Sequence, residues 1–455
     1  VDLFVSAKSI VGYSSSSANN LYYISIEHPD IVSFLSQPSS KPRDNFAITV
    51  PDRFMKAFSE NVDYFVEQGQ DKKIKVCPQA ILDLISSRII TGEHINLIFQ
   101  DTVNKKNPFL GDSKRFMFSP VGLQPIFENS SFASGVIDVS KFVNCLGNTK
   151  TIDWVRLKAV IWDAIEFLDN TIELSRTLND INSKELKETR QIYLSITGFY
   201  SLLAILEIPY SSDDAVCLAE ALSQYINYYS KLRSTELAKE RGPFFKFINS
   251  KYELPNFGFE KAPIQKRLFS EGPNLSKKLL KNMPSMDWTE LKNNIKKYGL
   301  RNSTTFSIIF SDLYSIAGGV TNAVNPLTSY KSIVWINGQK FEKLDSVLSS
   351  VVSGIKPSWS VQELESAIQG NIKEKLELSR DISTSAFIRL QATFEKNTDG
   401  CVNMNIYFSD NSVIQGVKDA IAQAHKCGCS LFLPEKLNCS QTDFLQDGSA
   451  NLMSL

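Results

Sequence analysis

Residues 190–210 read RQIYLSITGFYSLLAILEIPY, and how this run folds decides the architecture. From Arg190 to Leu206 it is strongly apolar and reads as a buried helix. Residues 213–240 follow with an amphipathic pattern that ends at Gly242-Pro243. Upstream, residues 153–173 place Val155, Leu157, Val160, Ile161, Ile165 and Leu168 at helical spacing. Helices this long and this apolar must pack on one another or on a sheet. Further out, residues 21–26 and 45–50 alternate like strands, and each leads into a proline-marked helix start, His28-Pro29-Asp30 and Pro51-Asp52. Residues 80–91, 376–393 and 411–425 read as helices, and 304–309, 404–408 and 430–433 as strands. The pattern predicts a mixed α/β chain whose strands are separated by helices.

Composition narrows the function classes. The chain has 455 residues, 43% of them apolar and 22% charged, which suits a core-forming globular protein. Lys+Arg (49) and Asp+Glu (49) cancel, so no global field draws in nucleic acid or an acidic membrane surface. No run approaches the ~18 apolar residues of a membrane span. Seven cysteines, an odd number, do not form a disulfide framework, and a reducing intracellular compartment is favoured. Cys427 and Cys429, with Cys439 and His425 nearby, match zinc spacing poorly and read as free thiols; no metal is expected. Cys145 and Cys401 read as buried small hydrophobes. The first residue is Val and no signal peptide is visible, so the chain is expected to be processed or part of something longer.

Short motifs then accumulate in order. His28-Pro29-Asp30-Ile31 follows a strand, and Asn45 to Met55 comes next. Asp101, Thr102, Asn104, Asn107 and Pro108 follow, then Asp153-Trp154 with Phe167-Leu168-Asp169-Asn170. After these come Arg190 to Leu203, Ile208-Pro209-Tyr210, Leu218-Ala219-Glu220, Ala238 to Phe244 and Arg301-Asn302-Ser303-Thr304. Together this series resembles the large, catalytic subunit of ribonucleotide reductases, closest to the adenosylcobalamin-dependent class. The resemblance implies a ten-stranded α/β barrel of two five-stranded halves, with surrounding helices. It implies a finger loop inside the barrel that carries a radical-forming cysteine. It also implies one barrel domain over residues 1–435 that lacks its N-terminal part, and a polar tail over 436–455.

The chemistry of that family does not carry over. Its finger loop reads Asn-Pro-Cys-Gly-Glu-Gln-Pro, and the matching segment here is Ser119-Pro120-Val121-Gly122-Leu123-Gln124-Pro125. The frame of Pro120, Gly122, Gln124 and Pro125 is kept, while Ser119, Val121 and Leu123 replace the chemical residues. Val121 has no S–H bond to oxidise, and Leu123 has no proton to exchange. The family's second redox cysteine falls on Phe132, eleven positions beyond Val121. Its phosphate-holding Pro-Thr-Gly-Thr falls on Phe310-Ser311-Asp312-Leu313, where a glycine is lost and a carboxylate would repel phosphate.

These losses point to a non-catalytic, reductase-like scaffold with no cofactor. It would act in an assembly or with an active paralogue. An active reductase chain completed by another polypeptide is the alternative, and adenosylcobalamin enters only there. A nucleotide-sensing module is a third. Expected partners are a protein covering the incomplete barrel edge and an oligomer contact through the helices of residues 190–240. His28 reads as a capping residue rather than a ligand.

Overall fold

A computed structural model describes residues 21–36, 45–68, 72–109, 116–147, 149–175, 180–254, 257, 279–310, 314–315, 318–336, 339–344, 346–352, 358–368 and 370–437. Its elements run β1 (Leu21–Ser25), α1 (Ile31–Ser36), β2 (Asn45–Val50), α2 (Asp52–Glu60), β3 (Tyr64–Gln68), β4 (Lys72–Val76), α3 (Pro78–Ile90), β5 (Ile95–Phe99) and α4 (Gln100–Lys106). Next come β6 (Phe116–Phe118), β7 (Pro125–Phe127), β8 (Ala133–Asp138), β9 (Val143–Leu146), β10 (Thr149–Ile152), α5 (Trp154–Leu174), α6 (Asp180–Thr189) and β11 (Gln191–Thr197). Then follow α7 (Phe199–Leu206), α8 (Asp213–Arg241), α9 (Trp288–Tyr298), β12 (Thr304–Phe306), β13 (Lys331–Ile336), β14 (Gln339–Leu344), α10 (Ser346–Val351) and α11 (Val361–Ala367). The last are α12 (Asn371–Lys375), α13 (Thr384–Glu395), β15 (Asn405–Phe408), α14 (Ile414–Lys426) and β16 (Leu431–Lys436).

The chain divides into two compact units. The first comprises residues 1–102, 326–388 and 404–455, and the second 103–325 and 389–403. Beyond Leu437 the polar tail lies outside the described residues.

The first unit holds a five-stranded sheet in the order β1-β2-β5-β16-β15. β1, β2 and β5 are mutually parallel, β16 runs antiparallel to β5, and β15 is parallel to β16. Ala47, Ile48, Leu97, Ile98, Leu431 and Phe432 are buried in the sheet, with Ile81, Leu82 and Ile85 of α3 and Val417 and Ile421 of α14. At the turn after β1, the Asp30 N–H donates to His28 Nδ1 (3.1 Å). The helix read over 376–393 begins only at Thr384, after a short 3-10 turn at Ser379–Asp381.

In the second unit β8, β11 and β12 form a parallel sheet with β11 in the centre. A parallel bridge between Ile308 and Val402 follows just beyond β12. Here the helix reading of residues 190–206 is corrected. Gln191–Thr197 is a strand buried at every position, and only Phe199–Leu206 is helical. Left-handed backbone at Arg190 (φ 47°) and at Gly198 (φ 71°) marks the two ends of the strand. The strand is short and runs through Gly198 straight into the apolar helix Phe199–Leu206, so the two elements read together as one apolar run.

Adjacent residues of β11 point to opposite faces. Leu194 pairs with Gly135, and a Cβ built on Gly135 would meet Leu168 of α5 at 3.4 Å, so the Ile192, Leu194 and Ile196 face backs onto that helix. Gln191, Tyr193, Ser195 and Thr197 occupy the other face and are also buried. Outside these, α8 is buried along most of Ala215–Ala238. Cys401 is buried as expected, but Cys145 is exposed, because β9 pairs only with β10 in a surface hairpin. Among the described residues, no helix is long and apolar enough to cross a membrane.

Candidate functional site

The finger loop is the turn of a hairpin. β6 and β7 pair antiparallel with Phe118 opposite Pro125, and the Ser119 N–H donates to Gln124 O (2.8 Å) across the neck. The Val121 N–H donates to Ser119 Oγ (3.1 Å), folding the tip back on itself. Gly122 has φ 65°, and a Cβ there would lie 2.5 Å from Asn403 Oδ1, so both conformation and space demand glycine. Leu123 is buried and also left-handed, at φ 46°, a strained setting for a leucine. Val121, by contrast, is 44% exposed, so the tip side chain is presented rather than packed.

Gln124, wholly buried, ties the loop down. Its Nε2 donates to Gly122 O (3.0 Å), Cys401 O (3.1 Å) and Asn403 Oδ1 (3.3 Å). Its Oε1 accepts from Ser307 Oγ (2.6 Å) and the Cys401 N–H (2.9 Å). A buried amide costs free energy unless it is paired in this way.

The segment that receives Gln124 is itself held by charge. Lys231 of α8 donates to Asp399 at 2.6 and 2.7 Å and to Thr305 Oγ1 at 3.2 Å. Asp399 also accepts from the Thr305 N–H (2.9 Å) and the Phe306 N–H (3.3 Å). Burial alone would raise the Asp399 pKa, but Lys231, then Lys251 and the Thr305 amide, bring it down to about 2. Lys106 binds Glu395 (2.5 Å), Thr398 Oγ1 (2.9 Å) and Gly400 O (2.8 Å). Lys251 donates to Lys106 O (2.7 Å). Three ammonium groups thus gather around two carboxylates.

Burial, aided by Lys231 and Lys106 and opposed by Asp399, lowers the Lys251 pKa from 10.5 to about 8. Between those values the unfolded chain holds a proton that the folded chain has released, so stability rises with pH across this window. The slope is at most about 1.4 kcal/mol per pH unit. Denaturant unfolding between pH 7 and 9.5 should show this rise in the wild type, and Lys251→Met should abolish it.

A second network lies around Asp169 of α5, which is fully buried. It accepts from Arg190 Nη2 (2.6 Å) and Nε (3.0 Å), Asn302 Nδ2 (3.0 Å) and Arg241 Nη1 (3.2 Å), and it lies 3.4 Å from Arg301 Nε. Arg190 and Arg301 share Glu173 as well (2.5 and 3.1 Å). Four motifs far apart in sequence meet on this one carboxylate.

Of the other positions singled out in the sequence, Phe132 sets its ring edge against Tyr193, with centroids 5.1 Å apart. Phe310 is half-buried, just after Ile309, whose N–H donates to Ser195 Oγ (2.8 Å). Ser311, Asp312 and Leu313 lie outside the described residues. Cys427 is exposed and Cys429 buried, while Cys439 lies outside the described residues. Among the described residues, no three His, Cys, Asp or Glu side chains gather as a metal site.

Tyr193, Lys106, Lys231, Lys251, Asp399 and Ser307 escaped the sequence reading. The one signal for Lys231 was its place on a buried polar stripe of α8, with Ser223, Asn227 and Ser234.

The second unit is thus a parallel α/β unit with a hairpin loop pinned beside its central strand, and the chain is of the mixed α/β class. A family model described as "Ribonucleotide reductase, barrel domain" matches residues 16–432. The chain belongs to the ribonucleotide reductase family through that domain. It is 25% identical over 429 residues to the vitamin B12-dependent ribonucleoside-diphosphate reductase of Thermoplasma acidophilum, covering 90% of this chain and 50% of that protein. It is 32% identical over 235 residues to the enzyme of the same name from Mycobacterium tuberculosis, covering 50% of this chain and 33% of that protein. A third relative is the ribonucleoside-diphosphate reductase subunit alpha of Buchnera aphidicola, at 26% over 381 residues, covering 79% of this chain and 44% of that protein. The chain spans at most about half the length of these relatives.

Proposed function

We propose that this chain is a non-catalytic member of the ribonucleotide reductase family that serves as a structural or interaction scaffold. One observation carries the reading: the pinned finger loop presents Val121, an alkyl group, at its tip. Hydrogen abstraction from a ribose carbon needs an oxidisable group there, and acid–base work at Leu123 needs an exchangeable proton. In this reading Ser119, Val121, Leu123 and Phe132 stand where the family keeps its amide, radical thiol, carboxylate and redox thiol. The chain acts, in this reading, together with a protein partner.

A second reading, an active reductase chain completed by another polypeptide, takes its support from the relatives, which are named as reductases. Two of them are named vitamin B12-dependent. Adenosylcobalamin supplies a radical, which requires a thiol to receive it. The loop tip carries Val121 and does not fit that role.

The purified protein, assayed with the four ribonucleoside diphosphates, adenosylcobalamin and a dithiol reductant, should form no deoxynucleotide above the blank. Product with any of the four would overturn the scaffold reading. Calorimetry with deoxynucleoside triphosphates should show no binding up to millimolar concentration; binding would favour a sensing role.

A further inference from the structure

Beside the finger loop the second unit is filled by its own side chains, and one of them does more than fill. Tyr193 projects from the centre of β11 on the face opposite α5 and is fully buried. Its hydroxyl donates to Pro125 O at 3.0 Å, at the base of the loop. Gln191 Nε2 points at the same carbonyl (3.4 Å) and at the Tyr193 hydroxyl (3.5 Å). The ring lies against Phe132 on one side. On another it lies against the backbone of Gly400, where any Cβ would come within 2.9 Å of Tyr193 Cε1, 2.3 Å of Gln124 Oε1 and 2.7 Å of Ser307 Oγ. Gly400 is thus the hole for a Tyr193 knob, and its neighbours are the groups that fasten the loop.

We infer that the Tyr193 phenol is a built-in plug, locking the finger loop to the central strand and occupying the space beside Phe132, so that this face takes no nucleoside. The inference goes beyond the missing chemical groups and rests on the non-catalytic reading for its meaning. A close-packed interior admits a ligand only by displacing what fills it. Displacing this ring would break the hydroxyl bond to Pro125 and empty the notch at Gly400. Restoring a cysteine at 121 therefore leaves the space closed while Tyr193 stays.

Hydrogen exchange of Tyr193→Phe, which removes one oxygen and keeps the ring, tests the lock. Loss of one buried hydrogen bond should speed exchange of the Ser119 and Val121 amides about fivefold and leave the amides of α5 unchanged. Unchanged exchange at 119 and 121 would overturn the lock. A companion variant, Tyr193→Gly, should be thermally stabilised by p-cresol, as a dry cavity takes a small aromatic guest. Failure of p-cresol to raise its melting temperature would overturn the packing argument. Cytidine diphosphate that binds the wild type and protects residues 119–125 would overturn the plug even if no product forms. Deoxycytidine diphosphate formation would overturn the non-catalytic reading, while the exchange result still judges the lock separately.

Discussion

Replacement of Asp169 by alanine should cost the second unit about 3–5 kcal/mol, a large part of the ~5–15 kcal/mol typical of a folded domain. The carboxylate is fully buried and holds Arg190, which is itself 3% exposed. Removing it strands a guanidinium in a dry interior, where Glu173 reaches only one edge, through Arg190 Nη1. It also orphans the Asn302 amide that donates to Asp169 at 3.0 Å. Glu173→Gln gives the contrast. Glu173 bonds two of the same arginines, but its side chain is 49% exposed, so water replaces much of what is lost. That change should cost less than about 1 kcal/mol. Urea unfolding of the two variants beside the wild type checks the pair, and equal losses would show that burial is not what gives Asp169 its weight.

The second large effect is expected at Asp399→Asn, at about 3 kcal/mol, because Lys231, with 3% of its side chain exposed, would lose its buried carboxylate partner. Lys231→Met should cost about as much, by leaving the carboxylate unpaired. Combining Lys231→Met with Asp399→Asn should recover at least about 1 kcal/mol of the summed loss, since neither charge is then left alone. Acid should reproduce part of the effect. The folded pKa of about 2 lies below the ordinary 3.8, so this contribution is complete above pH 4 and is lost as pH falls through 2. It amounts to about 2 kcal/mol. Unfolding measured from pH 5 to 2 should fall less steeply in Asp399→Asn than in the wild type. Cys401, two residues beyond Asp399, carries the backbone bonds to Gln124, so the same variant should also loosen the finger loop.

Much of this could be read before any coordinates. The finger-loop frame was legible through the resemblance to the family's motif, and it fits a tight turn: Gly122 takes the left-handed backbone such a turn needs. The strands at 21–25 and 45–50 showed through alternation, since the side chains of β1 are only partly covered. β11 was misread because its short alternation runs through Gly198 directly into the apolar helix α7, and the two read as one apolar run. The motifs around Asp169, Arg190, Arg241 and Arg301 were visible one by one, but their common purpose was not.

Patterning along the chain by itself determined the mixed α/β class, and the resemblance to the reductase family placed the finger loop and the alkyl group at its tip, because each depends on residues adjacent in the chain. Only the tertiary structure decided that Gln124 is a fastening hub, that Lys231 and Asp399 are partners, and that Tyr193 fits against Gly400. Those pairings join positions 168 to 277 residues apart. Burial and the strength of a charge pair depend on what surrounds a side chain from every direction, and periodicity along one strand or helix records only one of them.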